Sequence, residues 1–170
     1  MLGLAWLFAP TERRWWHEHF GNGVVTDLSV TYWQRIPLSG ATQQTYRNAV
    51  MVVVRYRTQP VNVLVTHLDR GADRERQLQL VTDLFLSLPA PSILMGDLNS
   101  TAEELKLKGL FETRQLADGV GEVLKDPPHT RIDWILTRGF RTLDAGFCNN
   151  RGSDHPSVWA ELALSTNDSH

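Results

Sequence analysis

Ala49 to Tyr56 reads AVMVVVRY, a nearly continuous run of apolar, mostly β-branched residues. Such residues favour extended backbone, and with no polar phase left over the strand must be buried on both faces. A strand of that kind needs a packed layer on each side, which commits the chain to a layered architecture. Val61 to Thr66 follows after Gln59-Pro60, a spacing that suits a hairpin.

The rest of the chain fits layers. Asp73 to Leu88 carries a helical period at Leu78, Val81, Phe85 and Leu88, with Asp73 placed to cap its start and Pro89 and Pro91 to stop it. Ser92 to Met95 is a short buried strand that runs directly into Gly96-Asp97. Glu103 to Leu110 reads as a short helix, and Ile132 to Thr137 as a strand. Ser157 to Leu164 alternates apolar residues at Val158, Ala160, Leu162 and Leu164, as a half-buried strand does. Near the start, Trp6 to Ala9 and Gly23 to Val30 are expected strands, separated by the polar and aromatic stretch Thr11 to Asn22. Many strands with one convincing helix among them predict an α/β sandwich. Neither repeats nor a linker divide the 170 residues, so a single domain over 1–170 is expected.

Charge narrows the partners only slightly. Seventeen basic and nineteen acidic residues leave a net charge of -2, without the global basic field common in nucleic-acid binders. That balance tilts away from tight, salt-sensitive binding of long duplexes. Cys148 is the single cysteine, so there is no internal disulfide, and a reducing, cytoplasmic location is expected. No stretch approaches the roughly 20 apolar residues that span a bilayer. The apolar run within Met1 to Pro10 has no basic residue before it and reads as a strand rather than a signal peptide. The six tryptophans are expected mostly in the core, Trp15, Trp16 and Trp33 among them, as large aromatic rings usually are.

Four polar clusters stand at the ends of expected strands: Thr66-His67-Leu68-Asp69, Gly96-Asp97-Leu98-Asn99, Arg131-Ile132-Asp133 and Ser153-Asp154-His155. Strand ends feeding into loops are where a rigid scaffold presents catalytic groups. Taken singly, each reads first as a turn or a solvated side chain. Taken together they supply what phosphodiester hydrolysis needs: oxygen ligands for a hard cation, a base for water, and donors for the phosphoryl oxygens. Asp97 and Asp154 could supply carboxylates, His155 a base, and His67 and Asn99 donors. Asp133 could fix the tautomer of a histidine.

At this point the sequence resembles the endonuclease/exonuclease/phosphatase superfamily, which includes apurinic-site endonucleases, DNase I-type enzymes and neutral sphingomyelinases. The resemblance lies in THLD, an RxxQ helix (Arg74, Gln77), GDLNS, RIDWIL and GSDHPSVWAEL, with Gly21-Asn22-Gly23 before a strand and Gly109-Leu110-Phe111 after the GDLN segment. It runs from about Gly21 to Leu164, and its most specific part is the SDH ending with the final strand. It implies a two-sheet β-sandwich flanked by helices, of the DNase I type. It further implies a metal-dependent hydrolase of phosphodiester or phosphate-ester bonds that uses magnesium or manganese. The substrate would be a nucleic acid, a phospholipid or a small molecule.

Carried over residue by residue, the resemblance implies that His67 contacts the scissile phosphate. Asp97 would orient or activate the attacking water, with Asn99 beside it. Asp154 would be a metal ligand, and His155 the base or phosphate-stabilising histidine, paired with Asp133. Arg47 falls where many members place a phosphate-binding side chain, although a lone arginine is as readily a solvated one.

One departure matters. Members of the superfamily begin with a strand ending in an Asn-containing motif, then a helix and a strand ending in Gln-Glu, whose Glu is the principal magnesium ligand. No Gln-Glu pair occurs in this chain. The resemblance therefore implies an N-terminally truncated version of the fold, its C-terminal two thirds, with magnesium weakly held. An apolar sheet edge left uncovered in this way would favour self-association. His17-Glu18-His19 lacks the i, i+4 spacing of a helical zinc motif and reads as a solvated stretch. The segment between Gly121 and Arg131 is short for the superfamily. The competing functional reading is a catalytically impaired remnant, or a binding module that retains the scaffold. A calcineurin-like metallophosphatase is set aside because its Gly-Asn-His piece is absent.

Overall fold

The computed structural model describes residues 3–11, 20–38, 46–104, 116–124, 130–149 and 152–165. In chain order the elements are β1 (Ala5–Pro10), β2 (Gly21–Thr26), β3 (Ser29–Leu38), β4 (Arg47–Tyr56), β5 (Gln59–His67), α1 (Arg74–Ser87), β6 (Ser92–Asp97), β7 (Ala117–Asp118), β8 (Asp133–Arg138), β9 (Phe140–Cys148) and β10 (Ser157–Leu164). Six of the strands form one sheet in the order β3-β4-β5-β6-β8-β7. β4, the valine-rich strand, lies between antiparallel neighbours β3 and β5. β6 runs parallel to β5, and α1 supplies the crossover that a parallel pair requires.

Side chains alternate between the two faces along the central strands of this sheet. On one face Ala49, Leu64, Leu94, Trp134 and Leu136 pack with Val81 and Phe85 of α1. On the other, Val50, Val52, Val54, Val61 and Val63 pack with Ala9, and Leu7, Val24, Ile93, Met95 and Phe140 lie against them. A fully buried valine contributes about 1.5–3 kcal/mol. β4 therefore holds both layers of the sandwich together, as its composition requires.

The second layer is divided. β1 pairs with β2 and β9 pairs with β10, each as an antiparallel two-stranded ribbon. Residues of both ribbons pack on the valine-rich face of the large sheet. Between them lies an apolar cavity of about 270 Å3, lined among others by Val24, Val52, Val63, Ile93, Leu162 and Leu164. The layered α/β architecture expected from the sequence is the one observed. No helix among the described residues is long and apolar enough to cross a membrane.

Several local expectations are corrected. Gly23 to Val30 is not one strand: Leu28 N donates to Thr26 Oγ1 (3.0 Å), the chain turns, and β3 then continues to Leu38. A threonine hydroxyl satisfying a backbone amide two residues on is a local turn that a count of apolar residues does not reveal. β9 went unanticipated because FRTLDAGFC has no clear period. Asp73 occupies the N-cap position, but its carboxylate makes no capping bond. Its backbone is already helical (φ −84, ψ −11), whereas capping side chains reach back from extended backbone.

Of the described tryptophans only Trp134 is fully in the core (2% exposed), while Trp6 (71%), Trp33 and Trp159 are exposed. Trp6 shares the outward phase of β1 with Phe8, and Trp159 that of β10 with Glu161, so the two-residue period overrides ring size. Gly109-Leu110-Phe111, Trp15, Trp16 and His17-Glu18-His19 lie outside the described residues. So do most of the Glu103–Leu110 segment and part of the segment between Gly121 and Arg131.

Candidate functional site

The sheet register creates the site. His67, the last residue of β5, is the register partner of Asp97, the last residue of β6. Asp97 is in turn the partner of Asp133, the first residue of β8. Three chemically active side chains, from segments far apart in sequence, thus stand in one row across neighbouring strands. Gly96 makes this row feasible. A Cβ there would come within 1.9 Å of the Thr66 carbonyl oxygen, and its φ of +133° is one that glycine alone adopts readily.

His155, from the loop before β10, completes the group. Its Nδ1 lies 2.5 Å from Asp133 Oδ2, and its Nε2 lies 3.9 Å from Asp97 Oδ2. Bonding of Nδ1–H to a carboxylate leaves Nε2 as the nitrogen free to exchange a proton. Burial pushes the Asp133 carboxyl above the usual range, the nearby charges of Asp97 and Asp154 push the same way, and His155 opposes them.

His67 Nε2 lies 3.3 Å from Asp97 Oδ2 but lacks the geometry of a hydrogen bond. Burial lowers the pKa of His67, and the adjacent Arg47 charge lowers it further; Asp97 only partly offsets them. A neutral imidazole beside the Asp97 carboxylate is therefore the better description than a salt bridge. Arg47, at the start of β4, reaches the same neighbourhood. Its guanidinium pKa is lowered by burial, with the Asp69 and Asp97 carboxylates acting in the opposite direction.

Asn99 is buried close by, but its side-chain amide donates to the Leu68 carbonyl (2.8 Å), and its backbone N–H donates to Asp97 Oδ1 (2.8 Å). Its φ of 47° lies in the left-handed region, which asparagine tolerates better than most residues. Asn99 thus ties the loop after β6 to the loop after β5 and fixes the Asp97 carboxylate. The RxxQ pair does related work: Gln77 Oε1 accepts from Asp69 N (2.9 Å), and Arg74 Nη1 donates to the Asn99 carbonyl (2.9 Å).

Asp154, expected as a metal ligand, is the most exposed of the ion-paired side chains around this group. Its side chain is 77% exposed, 3.8 Å from Arg70 and 3.5 Å from His155 Nε2. Among the described residues the ligand atoms that converge within 4.8 Å belong to Asp97, Asp133 and His155. Asp154 lies on the loop before β10, not at a strand end within the sheet, so register does not draw it inward.

Two features of the site went unread in the sequence. Asn48 donates to the Ala9 and Pro10 carbonyls (3.3 and 2.9 Å) and accepts from Asn22 (2.9 Å), so two buried amides bolt the β1–β2 ribbon to β4. Phe20, just before β2, brings its ring against both His67 and Arg47. Asparagine embedded in an apolar strand was the available signal for the first; a lone phenylalanine carries none for the second.

The sequence matches the Endonuclease/Exonuclease/phosphatase family over residues 4–155. No curated protein sequence matches it. Solved structures share its fold. Against the human Nocturnin catalytic domain with bound sulfate anion the TM-score is 0.70 at 19% identity, covering 96% of this chain and 73% of that one. Against D. rerio TDP2 complexed with single strand DNA product it is 0.72 at 16% identity, covering 94% and 77%. Against a Bacteroides thetaiotaomicron mannosyl-6-phosphatase it is 0.65 at 16% identity, covering 94% and 77%. At such identities the structures speak for the fold, and the matched family carries the assignment: the chain belongs to the Endonuclease/Exonuclease/phosphatase family.

Proposed function

We propose that the protein is a hydrolase of phosphate esters, acting on phosphodiesters with the help of a divalent cation. The observation that carries this reading is the row of His67, Asp97 and Asp133 across β5, β6 and β8, with His155 bonded to Asp133 at its end. Water attack on phosphorus needs a base, an oriented water and donors for the phosphoryl oxygens, and the row supplies each type of group. Asp97, held by Asn99, orients the water and draws on its proton. His155 Nε2 moves a proton or donates to a phosphoryl oxygen, its tautomer set by Asp133. His67 and Arg47 bind the phosphate. The phosphorus–oxygen bond to the leaving alcohol breaks as the new one to the water oxygen forms.

The donor set suits a hard cation loosely. Magnesium takes oxygen ligands, keeps several waters, and is commonly held by one or two carboxylates plus substrate phosphate. Asp97 is the carboxylate at the centre of the cluster, with Asp133 committed to His155 and Asp154 exposed nearby. Magnesium or manganese would be held chiefly by Asp97, with the exposed Asp154 carboxylate, 3.5 Å from His155 Nε2, as the second candidate. When bound it would supply charge neutralisation at the phosphoryl oxygens.

Names of the fold neighbours span a DNA product and a sugar phosphatase. They favour no single substrate among nucleic acid, phospholipid and small phosphate ester. Hydrolysis of bis-p-nitrophenyl phosphate by the purified chain, titrated with magnesium, tests the reading. Turnover that requires the cation and disappears in His155→Ala supports it. An inert chain that still binds phosphate would make it a binding module. We further infer self-association through an uncovered sheet edge: among the described strands β2 pairs only with β1, and its Val25 is open to solvent; light scattering showing a monomer at high concentration would count against that.

A further inference from the structure

We propose that Phe20 is a positioning residue of the phosphate site, its ring holding the Arg47 guanidinium and the His67 imidazole side by side. The proposal rests on the phosphate-binding reading of Arg47 and His67. Arg47 Cζ lies 5.1 Å from the centroid of the Phe20 ring. The His67 ring centroid lies 5.4 Å from it, tilted by 58°. Phe20 is thus shared by two side chains that come from different strands.

The local sequence is built to put that ring there. Thr11 grips the Phe20 carbonyl twice, through its backbone N–H and its hydroxyl, both at 3.1 Å. At Gly21 a Cβ would approach the Ala9 carbonyl oxygen to 2.5 Å and the Phe8 ring to 2.8 Å, so only glycine lets the ribbon close at this point. One residue further, Asn22 Nδ2 donates to the Asn48 backbone carbonyl at 2.8 Å, which places Phe20 alongside Arg47.

Arg47 Nε and Nη1 and His67 Nε2 are buried without a hydrogen-bond partner. Buried guanidinium donors without acceptors are costly, and they are an arrangement suited to an incoming anion. The carboxylates of Asp69 and Asp97 are near enough to act on Arg47. Without the ring, the guanidinium would turn toward them and be withdrawn from the phosphate. Desolvation strengthens a cation's attraction to an aromatic face, and arginine stacks on such a face better than lysine does.

The test is calorimetric binding of inorganic phosphate to the full chain, without metal. Phe20→Leu is expected to weaken binding about three- to tenfold, and Phe20→Trp to stay within about twofold of wild type. In an Arg47→Lys background the same Phe20→Leu change is expected to cost less than about twofold, because the planar partner is gone. If Phe20→Leu fails to fold, Phe20→Met takes its place with the same expectations. Wild-type chain that binds no phosphate, an equal loss in both backgrounds, or no recovery with tryptophan would overturn the proposal. Turnover of bis-p-nitrophenyl phosphate separates this from the functional reading. Coupled phosphate binding in a chain that hydrolyses nothing overturns that reading and leaves Phe20 in its role. Hydrolysis by wild type without coupling does the reverse.

Discussion

His155 Nδ1 lies 2.5 Å from Asp133 Oδ2, and the two residues come from a loop and a strand more than twenty positions apart. The pair defines the imidazole's orientation and leaves Nε2 toward Asp97. Removing the imidazole should therefore differ from disturbing its support. His155→Ala is expected to lower turnover of a phosphodiester by about 10²- to 10⁴-fold, the usual worth of a positioned proton-transfer group. Asp133→Asn, which keeps the shape but alters the bond, is expected to cost about 10- to 100-fold. Steady-state rates of the two variants check this, and an unchanged rate in His155→Ala would make the histidine structural.

Magnesium dependence should be shallow. With Asp97 as the one central carboxylate not already bonded to His155, half-saturation is expected at high millimolar magnesium. Asp97→Asn should raise the requirement further and reduce turnover to near background. Brisk turnover at low magnesium would point to a ligand outside the cluster of Asp97, Asp133 and His155.

Stability should depend on pH through His67. Burial, with Arg47 beside it, holds this imidazole below its usual 6.5. Below pH 6.5 the unfolded chain takes up a proton that the folded chain refuses, so His67 makes stability fall as pH falls from 6.5 toward the folded value. Asp133 acts in the opposite sense. Its raised pKa means that the unfolded chain releases a proton first, so stability falls as pH rises from 3.8 to the folded value. Urea denaturation between pH 7 and pH 5 should show a flatter decline for His67→Gln than for wild type. A parallel decline would mean that the imidazole charges equally in both states.

Trp134 should matter for stability as no other described tryptophan does. Its ring is buried, Arg131 stacks on it at 3.8 Å, and its indole N–H donates to the Ser100 carbonyl (2.9 Å). Arg131 is itself paired with Asp118, so the cluster anchors the start of β8, where Asp133 sits. Trp134→Ala is expected to cost about 3–5 kcal/mol in urea denaturation. Trp159→Ala, on an exposed phase of β10, should cost about 1 kcal/mol or less.

Much of the frame is written locally. The valines of β4 demand a strand buried on both sides, and the helical period of Leu78, Val81 and Phe85 demands a helix on one of them. The polar clusters after β5 and β6 and around β8 and His155 declare themselves because Gly, Asp, Asn and His interrupt apolar strands. These signals lie within a few residues of one another, which is the range over which propensity and periodicity act. Which clusters meet is another matter. The row of His67, Asp97 and Asp133 depends on strand register, and a slip of one residue would turn each side chain to the opposite face. Only packing of the loop before β10 brought His155 onto Asp133 while leaving Asp154 in solvent. Only closure of the first ribbon set Phe20 against Arg47. Side chains with no sequence neighbour to betray them acquire their meaning from what the fold places beside them.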